Sequence, residues 1–286
     1  MYTKGTGNMD NTIEIQQFLD SRLHKIIEDR YFLECYSECL YTPAWFIKTE
    51  PTDLEKREQA IQHYLKLLVE IFSDCPKPTV PTVAMYIPSH DEHIFSNCGK
   101  VVSMLAGQID WLIDGTKHIK RTRTIAAKHT QTEQTEEEHT QANSLSVQMD
   151  LSDKNIILFD DRMTSGNSVN QVARFLQAKG ARHVWFVAFD LTDRRVFFIK
   201  NNYGEFCIKL TLGCQWFEFG LRLMHSMNGA AFYFGTDGTS NVRVFVGSKM
   251  VYATLNGKEY RSKIKQQQNN MNVWVGKIYD NEQEMK

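Results

Sequence analysis

The sequence lacks several features that would assign it to whole classes of protein. No run reaches the roughly 18 apolar residues that a membrane-spanning helix needs. The first residues, MYTKGTGNMDNTIEI, lack the apolar centre of a signal peptide, so we expect a cytoplasmic protein. The formal net charge of −1 provides no global field for nucleic acid or acidic membranes, so any basic site must be local. The composition, 42% hydrophobic and 23% charged, is that of a globular chain.

The six cysteines among the 286 residues follow no disulfide-framework spacing. Cys35 and Cys39 lie one helical turn apart, but no second close pair or His-x-x-x-His completes a tetrahedral set of ligands. We therefore interpret the cysteines as free thiols and expect no metal site built from them.

Residues 1–78 are predicted to form a helical N-terminal arm. Apolar residues recur close to a 3.6-residue period between residues 13 and 27, and again between residues 61 and 71. Thr52 or Asp53 is placed to cap the second of these stretches. The periodicity predicts a mainly helical structure over residues 11–75.

Residues 79–192 show the pattern of an α/β core. TVPTVAMYI predicts a buried strand, and NCGKVVSMLAGQIDWLI predicts a helix with its apolar residues on one side. Residues 155–191 then predict a strand, a helix that ends near Gly180, and a second strand parallel to the first in a right-handed crossover. Residues 129–144 have almost no apolar side chains, which predicts a loop.

Residues 193–286 are predicted to form a β-rich C-terminal extension. Short apolar runs such as AAFYFG and NVRVFVG alternate with polar segments, and Asn256–Gly257 is a strong hairpin signal. The pattern itself indicates no function for this region.

The segment NIILFDDRMTSGNSV places two carboxylates directly after the apolar strand predicted for residues 156–159. Ligands of parallel sheets bind beyond the carboxyl ends of the strands, where Asp160 and Asp161 would lie. The loop of residues 164–168 offers hydroxyls, backbone N–H groups and a helix N-terminus, which favour a phosphate monoester. Adjacent carboxylates can accept hydrogen bonds from a pair of sugar hydroxyls. Together these features predict a site for a ribose 5-phosphate.

Other proteins also place paired acids after an apolar strand. A polymerase site has Tyr/Phe-x-Asp-Asp between two antiparallel strands, whereas here a Gly-containing loop and an amphipathic helix follow. Response-regulator receivers carry paired acids after their first strand but lack Thr-Ser-Gly-x-Ser. An acid-capped turn before an N-capped helix, with no ligand, also fits the pattern but leaves the doubled aspartate unexplained.

Residues 156–168 resemble the phosphoribosyl-pyrophosphate signature of type I phosphoribosyltransferases, in which four apolar residues, two acids and two variable residues precede Thr-Thr/Ser-Gly-x-Thr/Ser. The resemblance implies a type I phosphoribosyltransferase-like α/β core with a parallel sheet, flanked by the helical arm and the β-rich extension. It implies catalytic roles for Asp160 and Asp161. It also implies phosphate binding by Thr164, Ser165, Gly166, Asn167 and Ser168.

Arg162 departs from this signature, which usually has Val or Ile at that position, and it should face solvent or a partner. The flanking segments resemble the competence-associated (ComF-like) branch most closely, without the zinc ribbon common there. YIPSHDEHIFSNCGKVVSMLA resembles the pyrophosphate loop and its helix, which implies pyrophosphate binding by Ser89 and His90. The resemblance covers roughly residues 80–192.

The basic run KHIKRTRTIAAK has two interpretations. It resembles the Arg-x-Arg-x-Thr stretch before the flexible loop of that branch, with Asn143 at a similar later place. On that basis Arg121, Arg123 and Lys128 are candidates for the pyrophosphate. The alternative interpretation is a solvated helix face, which carries no ligand.

The resemblance implies a phosphoribosyltransferase that binds phosphoribosyl pyrophosphate with Mg²⁺ and transfers ribose 5-phosphate to an unidentified nitrogen nucleophile. The ion would be held mostly by the ligand and water, near Asp160 and Asp161 but without a direct protein ligand. A non-catalytic sensor of this ligand is one alternative. Another is an effector subunit of a competence or mobile-element defence complex, with a protein partner on residues 1–78 or 193–286. No membrane contact is expected, and nucleic acid only through such a partner.

Overall fold

A computed structural model of the chain describes residues 10–27, 29–36, 43–48, 54–125, 143–163, 167–192, 195–200, 205–212, 215–247, 250–263, 265–267 and 273–280. No helix in these ranges is long and apolar enough to cross a membrane. The chain divides into two compact units. The first unit is drawn from Met1–Glu34 and Tyr41–Leu191, and the second from Cys35–Leu40 and Thr192–Lys286.

The described residues form five helices and seventeen strands. The helices are α1 (Asp10–Arg22), α2 (Pro43–Lys48), α3 (Leu54–Ser73), α4 (Asn97–Ala106) and α5 (Asn167–Ala178). The first eight strands are β1 (His24–Ile27), β2 (Arg30–Tyr36), β3 (Thr82–Tyr86), β4 (Leu112–Asp114), β5 (Ile119–Arg121), β6 (Leu145–Val147), β7 (Asn155–Met163) and β8 (His183–Thr192). The others are β9 (Arg195–Lys200), β10 (Phe206–Leu212), β11 (Gln215–Met227), β12 (Ala230–Thr236), β13 (Asn241–Val246), β14 (Met250–Leu255), β15 (Lys258–Lys263), β16 (Lys265–Gln267) and β17 (Val273–Asp280).

The first unit is built on a six-stranded sheet in the order β1-β2-β8-β7-β3-β4. β3 pairs in parallel with both β4 and β7, and β7 pairs in parallel with β8. β3 is buried along its length and β7 over its first five residues, as expected for parallel strands covered on both faces. The parallel strand–helix–strand unit predicted for residues 155–191 is confirmed, and Gly180 follows its helix with a φ of 99°.

One face of this sheet is covered by α1, α3 and α4. The ring of Phe72 in α3 lies 6.1 Å from that of Phe159 in β7. The indole N–H of Trp185 in β8 donates to Gln16 of α1 at 2.7 Å, and Trp185 shares the sheet face of Phe159 by strand register. α4 packs against α3 and therefore lies on this face too.

The opposite face is covered by α5. The hydroxyl of Tyr31 in β2 donates to Asp20 of α1 at 2.7 Å, so Tyr31 points to the first face. Its neighbour Arg30 must point to the other face because side chains alternate along a strand. There the guanidinium of Arg30 donates to Asn170 of α5, and both residues are buried.

The mainly helical prediction for residues 11–75 is wrong between α1 and α2. β1 and β2 form an antiparallel hairpin there, at the edge of the sheet. The backbone N–H of Phe186 in β8 donates to the carbonyl of Asp29 in the hairpin turn at 2.8 Å. Strand formation wins because the segment is rich in β-branched and aromatic residues and the sheet supplies hydrogen-bond partners.

The helix predicted over residues 97–113 ends at Ala106 instead. Gly107 follows as the C-cap, and its N–H donates to the carbonyl of Ser103 at 3.1 Å. Leu112, which had been predicted to lie on the apolar side of the helix, belongs to β4 and is paired with Thr82 of β3. A glycine inside a helical pattern costs about 1 kcal/mol relative to alanine, which favours termination here.

The second unit is a closed antiparallel sheet. Each strand from β9 to β15 pairs with the next one, and β17 pairs with β9 on one side and β15 on the other. Its interior is filled by buried side chains, mostly aliphatic: Val196, Phe198, Ile208, Leu210, Phe219, Leu221, Tyr233, Val242, Val244, Val251, Ala253 and Leu255. The β-rich prediction for this region is confirmed. Asn256 and Gly257, with φ of 49° and 85°, form the predicted turn between β14 and β15.

Candidate functional site

Asp160 and Asp161 lie at the carboxyl edge of the parallel sheet, and both are half-buried. The prediction that the strand ends at Asp160 is wrong, because β7 continues to Met163. β8 supplies pairing partners up to Leu191, with Asp160 opposite Ala188 and Met163 opposite Leu191. The ladder therefore runs past both carboxylates before the chain turns towards α5.

Strand alternation separates the two carboxylates. Asp161 shares a sheet face with Phe159, which is the face of α3 and α4. Asp160 points to the face of α5, and its carboxylate accepts a hydrogen bond from the backbone N–H of Asp161 at 3.0 Å. The two side chains therefore lie on opposite faces of the sheet, near the end of the strand.

Arg162 forms a buried ion pair with Asp190 of β8. The two residues are direct neighbours in the parallel register, and Arg162 Nε lies 2.5 Å from Asp190 Oδ2. The Arg162 side chain is 10% exposed and that of Asp190 is 0% exposed. The expectation that Arg162 faces solvent or a partner is wrong, because its side chain is buried against Asp190, and the pair ties the ends of β7 and β8 together.

The loop after β3 begins directly beside the aspartates. Tyr86 pairs with Phe159, the residue before Asp160, and the backbone N–H of Ile87 at the start of the loop donates to the carbonyl of Phe159 at 2.9 Å. Ser89 in this loop is half-buried and His90 is exposed. The loop ends at Ser96, whose hydroxyl caps α4 by accepting from the N–H of Gly99 at 3.1 Å.

Arg121 anchors the loop between β3 and α4 through hydrogen bonds of its guanidinium. Its Nε donates to the carbonyl of Ser89 at 3.1 Å, and its Nη1 donates to the hydroxyl of Ser144 at 2.7 Å. The residue is buried, and burial lowers the pKa of its guanidinium to about 10. These contacts give Arg121 a positioning role for the loop; its predicted contact with pyrophosphate stays a prediction.

The basic run lies along the same loop. Residues 119–121 form strand β5 paired with β6, so the alternative of a solvated helix face is wrong for this part of the run. The backbone N–H of Ile125 donates to the carbonyl of His90 at 2.9 Å, and the hydroxyl of Thr124 accepts from the N–H of Glu92 at 3.5 Å. Arg123 directly precedes these contacts, and its side chain is exposed. The structure thus brings Arg121 and Arg123 to the loop of Ser89 and His90.

The predicted phosphate-binding segment is described only in part. Asn167 is the first residue of α5, and Ser168 is half-buried in its first turn. Thr164, Ser165 and Gly166 lie outside the described residues, as does Lys128 of the predicted pyrophosphate set.

The pKa of the Cys98 thiol is affected by burial and by the negative charge of Asp160 and Asp161. Cys98 lies in the first turn of α4 and is 2% exposed. Burial raises the pKa of this thiol well above its usual value, and the nearby carboxylates of Asp160 and Asp161 raise it further. The first turn of α4 therefore lies close to both aspartates.

The donor set suits Mg²⁺ as a cation bound mainly by its ligand. Carboxylate oxygens are the ligands that Mg²⁺ accepts, and it keeps several waters or substrate oxygens besides them. In the described part of the chain, no group of three or more His, Cys, Asp or Glu side chains could hold a metal ion. A cation at Asp160 and Asp161 would thus draw its other ligands from phosphate groups and water.

Sequence reasoning missed the ion pair of Arg162 and Asp190 and the contacts that anchor the loop. A signal for the ion pair was present, because Arg162 is the only cation at the end of the first apolar strand and Asp190 is the only charge in the second, HVWFVAFDL. No comparable signal identified Ser144 and Thr124, whose contacts depend on the pairing of β5 with β6.

No protein-family model matches the chain, and no curated protein matches it by sequence. Solved structures similar to it include two crystal forms of a hypoxanthine phosphoribosyltransferase from Staphylococcus aureus. They have 15% and 14% identity and TM-scores of 0.30, over 46% and 49% of this chain. The match spans 64% of the first of those chains and 77% of the second. Adenine phosphoribosyltransferase from Leishmania tarentolae has 10% identity and a TM-score of 0.34, over 59% of this chain and 94% of that one. These are weak similarities, and the residues of the site carry the functional argument.

Proposed function

We propose that this chain binds phosphoribosyl pyrophosphate with Mg²⁺ and transfers its ribose 5-phosphate to a nitrogen nucleophile, with release of pyrophosphate. One observation carries the proposal. Asp160 and Asp161 stand at the carboxyl edge of β7, beside the loop that follows β3 and just before the N-terminus of α5. Ligands of parallel α/β sheets bind at such edges.

The 5-phosphate is assigned to the start of α5. The free N–H groups of a helix N-terminus and the positive end of its dipole favour a phosphate group. Ser168 in the first turn adds a hydroxyl donor, and Asn167 with residues 164–166 completes the segment that resembles the phosphoribosyl-pyrophosphate signature. Asp160 points to the same sheet face as α5, which suits contact with the hydroxyls of the attached ribose.

The pyrophosphate is assigned to the loop between β3 and α4. Ser89 and His90 begin this loop next to the strand end, and the exposed Arg123 lies along it. The hydrogen bond from Arg121 to the carbonyl of Ser89 fixes the backbone that would meet the ligand. The resemblance of the segment to the competence-associated branch supports the same assignment.

The residues of the site would act mainly by positioning the ligand and stabilising the charge that develops on it. Loss of pyrophosphate leaves positive, oxocarbenium character on the ribose, and the carboxylates of Asp160 and Asp161 orient the sugar and stabilise that charge. Bound Mg²⁺ would neutralise charge on the departing pyrophosphate. The nitrogen nucleophile then forms the new bond to the anomeric carbon, and its proton passes to solvent.

The proposal is tested by calorimetric titration of the full chain with phosphoribosyl pyrophosphate, with and without Mg²⁺, while pyrophosphate release is followed in parallel. We expect Mg²⁺-dependent binding and slow release to water. Ribose 5-phosphate alone should bind more weakly because it lacks the pyrophosphate. Binding without any release would favour the non-catalytic sensor, and a folded chain that binds neither ligand would refute the site.

A matched carboxylate provides the control. Asp110 is exposed and precedes β4, which places it at the opposite, amino end of the strands. Asp110→Asn should leave the titration unchanged. Equal slowing of pyrophosphate release in this variant and in an Asp160→Asn variant would show a general charge effect rather than a site at the carboxyl edge.

A further inference from the structure

The outer face of the second unit carries a set of aromatic rings and arginines, which we call the aromatic–arginine surface. It comprises Phe232, Phe245, Tyr252, Arg222, Arg243 and Arg261. Phe232 of β12 is directly opposite Phe245 of β13, and Phe245 is opposite Tyr252 of β14. Tyr252 is in turn opposite Arg261 of β15. Directly opposed residues point to the same face of a sheet, so these four side chains form one row across four strands.

Strand alternation puts this row on the outside of the closed sheet. The sequence neighbours Tyr233, Val244 and Ala253 belong to the buried interior cluster. Because successive side chains point to opposite faces, the row next to them points outward. Phe232 is accordingly 44% exposed.

Two more arginines flank the row. Arg222 of β11 is opposite Phe234, and Phe234 is opposite Arg243 of β13. Arg243 lies two residues before Phe245 on the same strand and so shares its face. Arg222 and Arg243 are both exposed, and neither forms an ion pair with any residue that the structure describes.

The rings of the row contact one another at tilted angles, and Phe232 at its end is the most exposed of them. The centroids of Phe232 and Phe245 lie 4.7 Å apart at 56°, and those of Phe245 and Tyr252 lie 5.7 Å apart at 52°. The guanidinium of Arg261 lies 5.5 Å from the centroid of Tyr252. Tilted rings at this spacing do not cover each other completely, so a planar group can stack on the exposed Phe232.

The two parts of the chain differ in charge. Residues 192–286 contain 13 Lys/Arg and 8 Asp/Glu, a net charge of +5. Residues 1–191 contain 20 Lys/Arg and 26 Asp/Glu, a net charge of −6. The overall charge of −1 thus conceals a basic C-terminal part, and an asymmetry of this kind indicates a polyanionic partner.

We propose that the aromatic–arginine surface binds single-stranded nucleic acid. Exposed bases would stack on Phe232 and the adjoining rings, and backbone phosphates would contact Arg222, Arg243 and Arg261. A duplex hides its base faces and could use only the arginines, and an acidic protein offers no stacked planar groups. This activity is independent of the proposed transferase site, and it replaces the expectation that nucleic acid is reached only through a partner.

Fluorescence anisotropy of the full chain with a labelled oligonucleotide of about 15 nucleotides, within the usual site sizes, tests the proposal. We expect the logarithm of the binding constant to fall linearly with the logarithm of the salt concentration. Arg243→Ala should reduce that slope by about 0.7, the value for one phosphate contact on a single strand. Phe232→Leu keeps the apolar bulk but removes the aromatic face, so it should weaken binding about fivefold or more and leave the slope unchanged.

Lys66→Ala is the control, because it removes an exposed cation from α3 of the first unit and should change neither value. Circular dichroism of each variant, measured in parallel, reports whether the chain is folded. Three results would overturn the proposal: no binding at low salt, equal affinity for a duplex, or equal affinity for polyphosphate, which has charge but no bases. The last result would assign the surface to an acidic partner without stacking groups.

Discussion

The two sheets of this protein present their polar residues in different places. In the parallel sheet of the first unit, β3 and the first five residues of β7 are buried, and the charged residues gather at the carboxyl edge. In the closed antiparallel sheet of the second unit, polar and aromatic residues alternate with the buried interior along strands such as β13. The difference follows from coverage, because helices cover both faces of the first sheet whereas one face of the second is solvated.

The comparison shows where a ligand can reach each sheet. A parallel sheet covered on both faces leaves only its ends accessible, so Asp160 and Asp161 at the strand end form the natural site. The interior of the closed antiparallel sheet is filled by side chains, so a ligand can reach only its outer face. Phe232 and its neighbours lie on that face. A change confined to one sheet leaves the other sheet as the reference.

The largest effect is expected from breaking the buried ion pair of the parallel sheet. Asp190→Ala leaves the guanidinium of Arg162 buried without its carboxylate, which should lower the free energy of unfolding by about 3–5 kcal/mol. Hydrogen exchange followed by mass spectrometry should show lost protection in peptides from β7 and β8. Peptides from β12 to β14 in the closed sheet should keep theirs.

An exposed ion pair of the same unit is the control. Arg22 and Asp74 lie 2.6 Å apart with side chains 49% and 57% exposed. Asp74→Ala should cost at most about 1 kcal/mol because water screens this pair. Equal losses for Asp74→Ala and Asp190→Ala would contradict the role given to the buried pair.

The next effect separates buried from exposed side chains of the closed sheet. Leu210→Ala removes a fully buried side chain of the interior cluster and should cost about 2–5 kcal/mol in chemical denaturation. Leu223→Ala makes the same chemical change at a side chain that is 52% exposed, and should stay within about 0.5 kcal/mol. Similar costs at the two positions would contradict the burial of Leu210 in the interior cluster.

A smaller effect is expected from alkaline pH. Burial raises the pKa of the Cys75 thiol to about 12, above the value of about 8.5 for an unfolded chain. The folded state therefore holds this proton more tightly. Its contribution to stability is complete below about pH 8.5 and is lost as pH rises towards 12, at no more than about 1.4 kcal/mol per pH unit.

Cys75→Ala should therefore flatten the loss of stability between pH 9 and pH 12 relative to the unaltered chain. In the second unit, burial and then the charge of Glu218 raise the pKa of Cys207 to about 12, so Cys207→Ala should flatten the same range. Denaturation midpoints at a series of pH values measure both. If stability fell more steeply with pH in either variant than in the unaltered chain, the raised pKa assigned to that thiol would be wrong.

Local patterns predicted the core of the first unit correctly. The apolar run of residues 155–159, the helical pattern of α5 and Gly180 each carry their own structural signal, and the parallel pairing of β7 with β8 follows from the connection between them. The position of Asp160 and Asp161 at the sheet edge followed from the same unit.

Contacts between distant segments were not predictable in this way. The helical periodicity of residues 13–27 runs into the start of the β1–β2 hairpin, and the neighbouring edge of β8, which no local pattern reveals, supplies hydrogen-bond partners for the hairpin. The extension of β7 to Met163 depends on Asp190 as a partner for Arg162, 28 positions later in the chain. The closure of the second sheet rests on β17 meeting both β9 and β15, which no local pattern encodes.

The most direct test of the central claim is pyrophosphate release from phosphoribosyl pyrophosphate by the Asp160→Asn/Asp161→Asn double variant. We predict that its rate falls about 10²–10³-fold, the usual cost of removing a group that stabilises transition-state charge, while affinity for the ligand changes much less. Asp110→Asn should release pyrophosphate at the rate of the unaltered chain. If the double variant does so as well, the carboxylates at the edge of the parallel sheet have no part in the reaction and the central claim is wrong.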